Sequence, residues 1–210
     1  KNYLKTKYIR SKKNILVSSI GYEIPNYLEK KISNNKIIIF FGSLSYEPNL
    51  SAIMWLINNV MPIVWSEDQD ILVNIAGGSP PEFLIDICKH NKRLFLQANP
   101  ISMPICIKNA TVAVAPLISG SGQQFKIIEA MSHGVPVIST TKGSNPFGFK
   151  HNKDLFIADK PREFATSIIE LCNNPKKRKS IRKNAFLNIK KKYSWEIVVE
   201  ELEKNIYSKI

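Results

Sequence analysis

Residues 111–149 constrain the fold most, because they combine two apolar runs with a glycine-rich loop and a helical segment. The first run, TVAVAP, is short, rich in β-branched residues and alanine, and ends at a proline that cannot donate to a sheet. The second run, PVIST, has the same character. Together they predict a strand, loop, helix and strand in series, which is the repeating unit of a parallel sheet covered by helices.

The loop inside this unit has the features of a phosphate-binding turn. Gly120 and Gly122 can adopt positive φ and let a ligand approach the backbone closely. Ser119 or Ser121 is expected to cap a helix that begins near Gly122, and Gly134 is expected to end it in a left-handed conformation. Because helix N-termini meet the carboxyl ends of parallel strands at one edge of the sheet, this edge should bind an anion.

Two charged residues of this helix, Lys126 and Glu129, are three positions apart and therefore lie on one helix face. One interpretation is an exposed ion pair with no further role. The other follows from the two buried strands around the helix, which would turn this face toward a cleft. In that cleft a lysine could neutralise a diphosphate, and a carboxylate could accept hydrogen bonds from a ribose diol.

The rest of the chain repeats the alternation of strands and helices. Further strands are predicted at residues 36–41, 71–76, 93–97 and 154–158, with helices at residues 48–64, 80–90, 103–108, 161–172 and 175–210. Residues 140–149 are expected to form a turn-rich loop, and Ser194 a helix cap. The pattern predicts an α/β fold, a doubly wound parallel sheet with helices on both faces.

Composition narrows the function classes. Three widely spaced cysteines indicate reduced thiols and a cytoplasmic protein, and none has the spacing of a metal ligand. No apolar run approaches the ~20 residues that span a bilayer. The net charge of +13 leaves two interpretations open, a generally basic surface or peripheral contact with an anionic membrane. The sequence lacks the motifs of zinc-finger, RRM or helix-turn-helix proteins, which argues against nucleic acid as a partner.

Beyond these patterns, the chain from Ile37 onward resembles the C-terminal, donor-binding half of GT-B fold glycosyltransferases of group 1, also called family GT4. The segments that carry the resemblance are FFGSLSYEPNLSAIMWLINNVMP, LVNIAGGSPP, GSGQQFKIIEAMSHGVPVIST and the closing YSW. It implies a Rossmann-like domain over residues 36–210, preceded in residues 1–35 by a linker or the tail of an N-terminal acceptor domain. It also implies a retaining hexosyltransferase that uses a nucleotide-diphosphate sugar and a glycan or lipid-linked acceptor, as in surface polysaccharide assembly.

The resemblance also implies site residues, with two departures. Most such enzymes have a glutamate eight positions before Glu129, where this chain has Ser121, and a basic residue after the first strand, where GSLSYEPN has none. Lys126 is therefore the candidate for the positive charge, and Lys126 and Glu129 are the expected catalytic pair. The expected substrate-binding residues are Gly42, Ser43, Gly120, Ser121, Gly122, Gln123 and Gln124.

If Lys126 and helix N-termini hold the diphosphate, no metal or other cofactor is expected. Because Ser121 replaces the usual glutamate, a non-catalytic nucleotide- or anion-binding module is the alternative function.

Overall fold

A computed structural model describes residues 18–26, 28, 35–120 and 122–207. By its internal contacts the chain divides into two compact units, one formed by Pro25–Asn188 and the other by Lys1–Ile24 together with Ile189–Ile210. Most of the expected linker at residues 1–35 lies outside the described residues. The predicted domain boundary therefore stays a prediction.

Six parallel strands form one sheet in the larger unit: β1 (Ile37–Phe41), β2 (Leu72–Gly77), β3 (Leu94–Ala98), β4 (Val112–Ala115), β5 (Val137–Ser139) and β6 (Phe156–Ile157). Their order across the sheet is β3-β2-β1-β4-β5-β6. From β1 the chain adds β2 and β3 on one side of the sheet, and from β4 it adds β5 and β6 on the other side. This is the order of a doubly wound fold, and it confirms the predicted class.

The helices follow the strands: α1 (Glu47–Trp55), α2 (Met61–Glu67), α3 (Glu82–Lys89), α4 (Met103–Lys108), α5 (Phe125–Ser132), α6 (Thr141–Ser144), α7 (Pro161–Asn173), α8 (Pro175–Tyr193) and α9 (Trp195–Tyr207). A π-helical turn, Leu56–Val60, joins α1 to α2, and a 3₁₀ turn, Asn145–Phe147, follows α6. The smaller unit contains α9, where the backbone N–H of Ile197 donates to Ser194 Oγ (3.5 Å). The predicted cap at Ser194 is thereby confirmed.

Burial on both faces explains why the central strands are almost wholly apolar. Ile38 and Phe40 of β1 belong to a core cluster that also contains Ile53 of α1 and Phe164 of α7. Ile39, which points to the other face, is fully buried outside that cluster. A strand covered on both faces has no solvent side on which polar residues could alternate.

The segment predicted as one helix over residues 48–64 is interrupted by the π-helical turn. Its buried positions are 49, 52, 53, 56, 57, 60, 61 and 64, a spacing close to four residues per turn. A regular α-helix repeats every ~3.6 residues, so its apolar stripe would drift away from the sheet. The wider turn absorbs the difference and keeps one face buried.

The helix after the glycine loop begins later than the sequence predicts. Gln124 precedes α5 without making a side-chain cap, so neither Ser119 nor the region near Gly122 starts the helix. The cause is the backbone, because Gly120 (φ 86°) and Gly122 (φ 92°) are left-handed and cannot belong to a right-handed helix. Ser121 lies outside the described residues. At the other end Gly134 has φ 70°, which confirms the predicted left-handed termination.

The predicted turn-rich loop at residues 140–149 is mostly helical, which corrects the prediction. Thr140 caps α6, because its Oγ1 accepts from the backbone N–H of Gly143 (3.3 Å). The same hydroxyl donates to the carbonyl of Leu117 (2.7 Å). A threonine in an extended conformation is a typical helix cap. The Gly, Ser, Asn and Pro residues that follow it are typical of turns, which is why the sequence predicted a loop.

Candidate anion site at the switch point

The candidate site lies where β1 and β4 sit side by side at the centre of the sheet. Because the chain leaves these two strands in opposite directions, the loops that follow them diverge and leave a crevice at their carboxyl ends. The loop after β1 brings Gly42 and Ser43 to this edge, and the loop after β4 brings Gly120 and Gly122.

Lys126 places a positive charge in this crevice. Its Nζ donates to Asn49 Oδ1 (2.6 Å) and lies 4.5 Å from the centre of the Phe40 ring. A Cβ added to Gly42 would be only 3.3 Å from the same Nζ, so the β1 loop runs directly beside the ammonium. Lys126 lies on the helix that follows β4, and Asn49 lies on the helix that follows β1. Their hydrogen bond therefore joins these two helices.

The electrostatics of Lys126 are those of a charge without a counter-ion. Burial lowers its pKa from the usual 10.5 to about 8. Within the described residues it forms no ion pair, and its polar contact is the neutral amide of Asn49. An enclosed ammonium that lacks a carboxylate can be stabilised by an anionic ligand.

Glu129 does not pair with Lys126 in the described part of the chain, although three residues separate them on α5. Its side chain is partly buried, and burial raises the pKa of the carboxyl group. The interpretation of this pair as an exposed ion pair on a solvated helix face is therefore wrong for the structure. Among the described residues, the Glu129 carboxylate and the N–H groups of Lys126 that Asn49 does not use stay available to other partners.

The glycine loop has the backbone that anion binding requires. Gly120 and Gly122 both have positive φ, and Gly120 packs so closely that an added Cβ would lie 3.1 Å from Pro48 Cβ. The Ser119 hydroxyl oxygen is buried without a hydrogen-bond partner among the described residues. Gln123 and Gln124 are partly buried just before α5. The first N–H groups of a helix have no partner inside the helix, so this loop and helix end offer donors.

The structure thus brings Gly42, Ser43 and Lys126 together, and places Glu129 about one turn further along α5. The contribution of each to binding, and that of Gln123 and Gln124, stays a prediction. Sequence reasoning missed Asn49, which it treated only as part of a helix start. The one local signal was an asparagine beside Pro48, too common in helix starts to indicate a site.

The neighbouring strand ends carry two left-handed residues that are not glycine. Ser79 (φ 54°) follows β2 and Asn99 (φ 48°) follows β3. The Ser79 N–H donates to Asn99 Oδ1 (3.3 Å), and the Asn99 N–H donates to the Gly77 carbonyl (2.8 Å). Such conformations are sparsely populated and cluster at functional sites.

The described residues contain neither a metal cluster nor a membrane-spanning helix. No group of three or more His, Cys, Asp or Glu side chains there is placed to hold a metal ion. No described helix is long and apolar enough to cross a membrane.

Comparison with known families decides what kind of protein has this site. The family model for glycosyl transferases group 1 matches residues 35–174. The chain belongs to this family. The matched region contains all six strands and every described residue of the candidate site.

Two curated relatives are both longer than the chain, and one of them is named a glycosyltransferase. It is 28% identical over 196 residues to an uncharacterized 44.6 kDa protein in the cps region of Klebsiella pneumoniae, covering 90% of this chain and 50% of that protein. It is 26% identical over 183 residues to an uncharacterized glycosyltransferase of Methanocaldococcus jannaschii, covering 83% and 45%. The chain therefore spans about half the length of these relatives.

Solved structures show the same fold at low identity. A TarM variant of S. aureus, crystallised with UDP and other ligands, has a TM-score of 0.79 at 20% identity, with 97% of this chain and 42% of that chain covered. The pneumococcal O-GlcNAc transferase GtfA, in complex with UDP and GlcNAc, has a TM-score of 0.75 at 15% identity, covering 98% and 42%. These matches confirm the predicted Rossmann-like fold, which is that of one half of GT-B structures.

Proposed function

We propose that this chain is the donor-binding half of a retaining, GT4-like glycosyltransferase, which transfers a hexosyl group from a nucleotide-diphosphate sugar to an acceptor. The observation that carries the proposal is the enclosed Lys126 ammonium, which faces the switch point without a carboxylate partner in the described residues. Family membership supplies the reaction class, and the site supplies the ligand chemistry.

Lys126 would act on the leaving group. When the bond between the sugar and the diphosphate breaks, negative charge grows on the phosphate oxygen while the sugar becomes oxocarbenium-like. A preorganised ammonium and backbone N–H groups stabilise that charge at no cost of reorganisation. In the site these donors would be Lys126, the glycine loop at Gly120 and Gly122, and the N-terminus of α5.

Glu129 would hold the ribose. Its carboxylate lies about one turn beyond Lys126 on the same helix and is partly buried. A carboxylate can accept hydrogen bonds from both hydroxyls of a diol. Gly42 and Ser43 would line the opposite wall of the crevice, beside the phosphates and the transferred sugar.

The nature of the relatives supports this proposal. Several structural neighbours were solved with UDP, and HepE of Anabaena was solved with UDP-glucose. The Klebsiella relative is encoded in a cps region, which supports a role in polysaccharide assembly with a glycan or lipid-linked acceptor. We also propose a cytoplasmic location, with peripheral contact to an anionic membrane as a further partner, since the chain carries a net charge of +13.

Calorimetric titration with UDP, GDP, inorganic pyrophosphate and a short DNA duplex tests the binding function. Saturable binding of a nucleoside diphosphate is expected, because the site offers both a cation and a diol acceptor. Binding of the duplex alone, with an affinity that falls steeply with salt, would instead identify a nucleic-acid-binding basic domain. No metal is expected to be required, so diphosphate binding should persist in EDTA.

The replacement of a family glutamate by Ser121 favours one other function, a non-catalytic nucleotide- or anion-binding module. Both functions predict nucleotide binding by this chain, and little or no turnover by this chain alone. They differ when the chain is joined to the complementary half found in its relatives. Transfer from a nucleotide-diphosphate sugar by that longer protein supports the enzyme, and nucleotide binding without transfer across a donor panel supports the module.

A further inference from the structure

We propose that Asn49 is the positioning residue of the diphosphate site: its side-chain amide fixes the Lys126 ammonium at the switch point while leaving the positive charge available to a ligand. This inference rests on the proposed donor-binding function and extends it to a residue that the sequence did not single out. It is carried by contacts that join three separate parts of the fold.

Both ends of the Asn49 amide are used, and their chemistry fixes its orientation. Oδ1 accepts from Lys126 Nζ (2.6 Å), and Nδ2 donates to the carbonyl oxygen of Ser43 (2.7 Å). An ammonium can only donate and a carbonyl can only accept, so the opposite orientation of the amide would break both hydrogen bonds. Asn49 is also buried, which limits alternative rotamers.

A neutral acceptor is what an anion-binding lysine needs in this position. Aspartate has the shape of asparagine, but its carboxylate would form an ion pair with Lys126 and compete with a diphosphate for the same charge. Its second oxygen would also face the Ser43 carbonyl, where two acceptors repel. The asparagine instead holds the ammonium in place and leaves its net charge unchanged.

In the part of the chain that the structure describes, Lys126 forms no ion pair that could take this role. Its ammonium donates to the Asn49 amide and lies over the Phe40 ring, and a Cβ added to Gly42 would be 3.3 Å from it. Glu129 is the nearest acid along α5, and it makes no ion pair with the ammonium in the described part of the chain. Burial lowers the pKa of Lys126. The hydrogen bond to Asn49 Oδ1 should oppose this shift, because an acceptor oxygen favours the protonated amine.

Through Ser43 the same amide also fixes the loop after β1. A Cβ added to Gly42 would approach Asn49 Nδ2 to 3.1 Å, so loop and amide are in direct contact. The loop wall and the ammonium are thus positioned by one side chain, and both should be disturbed when it is replaced.

The test compares Asn49→Asp with Asn58→Asp, a control with the same charge change at an exposed asparagine on the same helical segment. Pyrophosphate and UDP are titrated by calorimetry across pH 6 to 10, and labelled lysine side chains are followed by NMR. Asn49→Asp should weaken pyrophosphate binding about tenfold or more at pH 7, the effect expected for compromising a charge-assisted contact. The alkaline loss of binding should move to higher pH, because the new carboxylate favours the protonated lysine.

Asn49→Leu provides the second variant, should the aspartate disturb folding. It removes the acceptor without adding a charge, so it should weaken pyrophosphate binding and move the alkaline loss of binding to lower pH, opposite to Asn49→Asp. If Asn49 only filled space, the two variants would not shift the pH of the alkaline loss of binding in opposite directions.

Two results separate the inference from the function on which it rests. If the wild type binds UDP and Asn49→Asp matches Asn58→Asp in affinity and pH profile, the positioning role is wrong and the donor site stands. If the wild type binds neither UDP nor pyrophosphate, the proposed function itself is wrong.

Discussion

Lys126 is a buried ammonium, and its contribution to ligand binding can be measured by removing the charge. Lys126→Met keeps an unbranched side chain against Phe40 and removes the ammonium. We expect UDP and pyrophosphate binding to weaken by about 1.5–3 kcal/mol, the range for hydrogen bonds to charged groups. Calorimetry of the folded variant checks this. Lys89→Met, at an exposed lysine of α3, changes the net charge equally and should have little effect on binding. Equal losses of affinity in the two variants would mean that only the net charge of the protein matters.

The same substitution should change how stability depends on pH. Folding lowers the pKa of Lys126 from 10.5 to about 8, so between these values the unfolded chain holds more protons than the folded one. This group therefore makes the free energy of unfolding rise with pH across that interval. Lys126→Met should be more stable than the wild type near pH 7, and its advantage should shrink as pH approaches 10.5. Urea denaturation at several pH values measures it, and a constant difference would contradict the assigned pKa.

Glu129 can be tested by comparing two ligands. An amide offers one acceptor oxygen where a carboxylate offers two, so Glu129→Gln should weaken UDP binding and leave pyrophosphate affinity nearly unchanged. A role in the phosphate site itself would weaken both ligands equally. Titrating the same preparation with both ligands distinguishes these outcomes and decides whether Glu129 contacts the ribose.

At the scale of elements, the glycines that follow α5 and the 3₁₀ turn Asn145–Phe147 form a matched pair. Gly134 (φ 70°) and Gly148 (φ 63°) are both left-handed. An added Cβ would meet Arg182 Nε and Leu28 Cδ2 at 2.9 Å in the first case and nothing within 4 Å in the second. Each alanine should cost roughly 1–2 kcal/mol for its backbone. Gly134→Ala should cost about 1–3 kcal/mol more from overpacking, and equal losses in urea denaturation would exclude crowding at Gly134.

Strands were predictable from the sequence because strands buried on both faces leave continuous apolar runs, as in Ile37–Phe41. The start of α5 was not, because glycine permits a left-handed backbone without revealing whether it is used. The π-helical turn was missed for a similar reason, since a spacing near four residues resembles an ordinary helix over a few turns.

The site itself was half predictable. The spacing of Lys126 and Glu129 suggested a local pair, but the hydrogen-bond partner of Lys126 is Asn49, 77 residues earlier in the chain. Only the order of the strands brings the two together, because it places β1 next to β4. Local patterns thus found the lysine, and the topology of the sheet supplied its partner.

For the molecule as a whole, the sheet edge acts as one surface, and Gly77 shows this most directly. A Cβ at Gly77 would overlap the carbonyl oxygen of Gly42, so the end of β2 and the loop after β1 touch through their backbones. Gly77→Ala should displace the β1 loop and weaken pyrophosphate binding, although the position has an ordinary φ. Gly148→Ala, where an added Cβ meets nothing, is the control. Unchanged affinity in a folded Gly77→Ala protein would show that the loop yields without disturbing the site.

This contact has a consequence for genetics. In a mutational scan scored by donor binding, substitutions at Gly77 would group with those at Gly42 and Lys126, even if no atom of Gly77 touches the nucleotide. A map of the site drawn from such a scan would extend one strand too far toward β3. Gly77 would then be counted as a recognition residue, when its role is to leave room for the neighbouring loop.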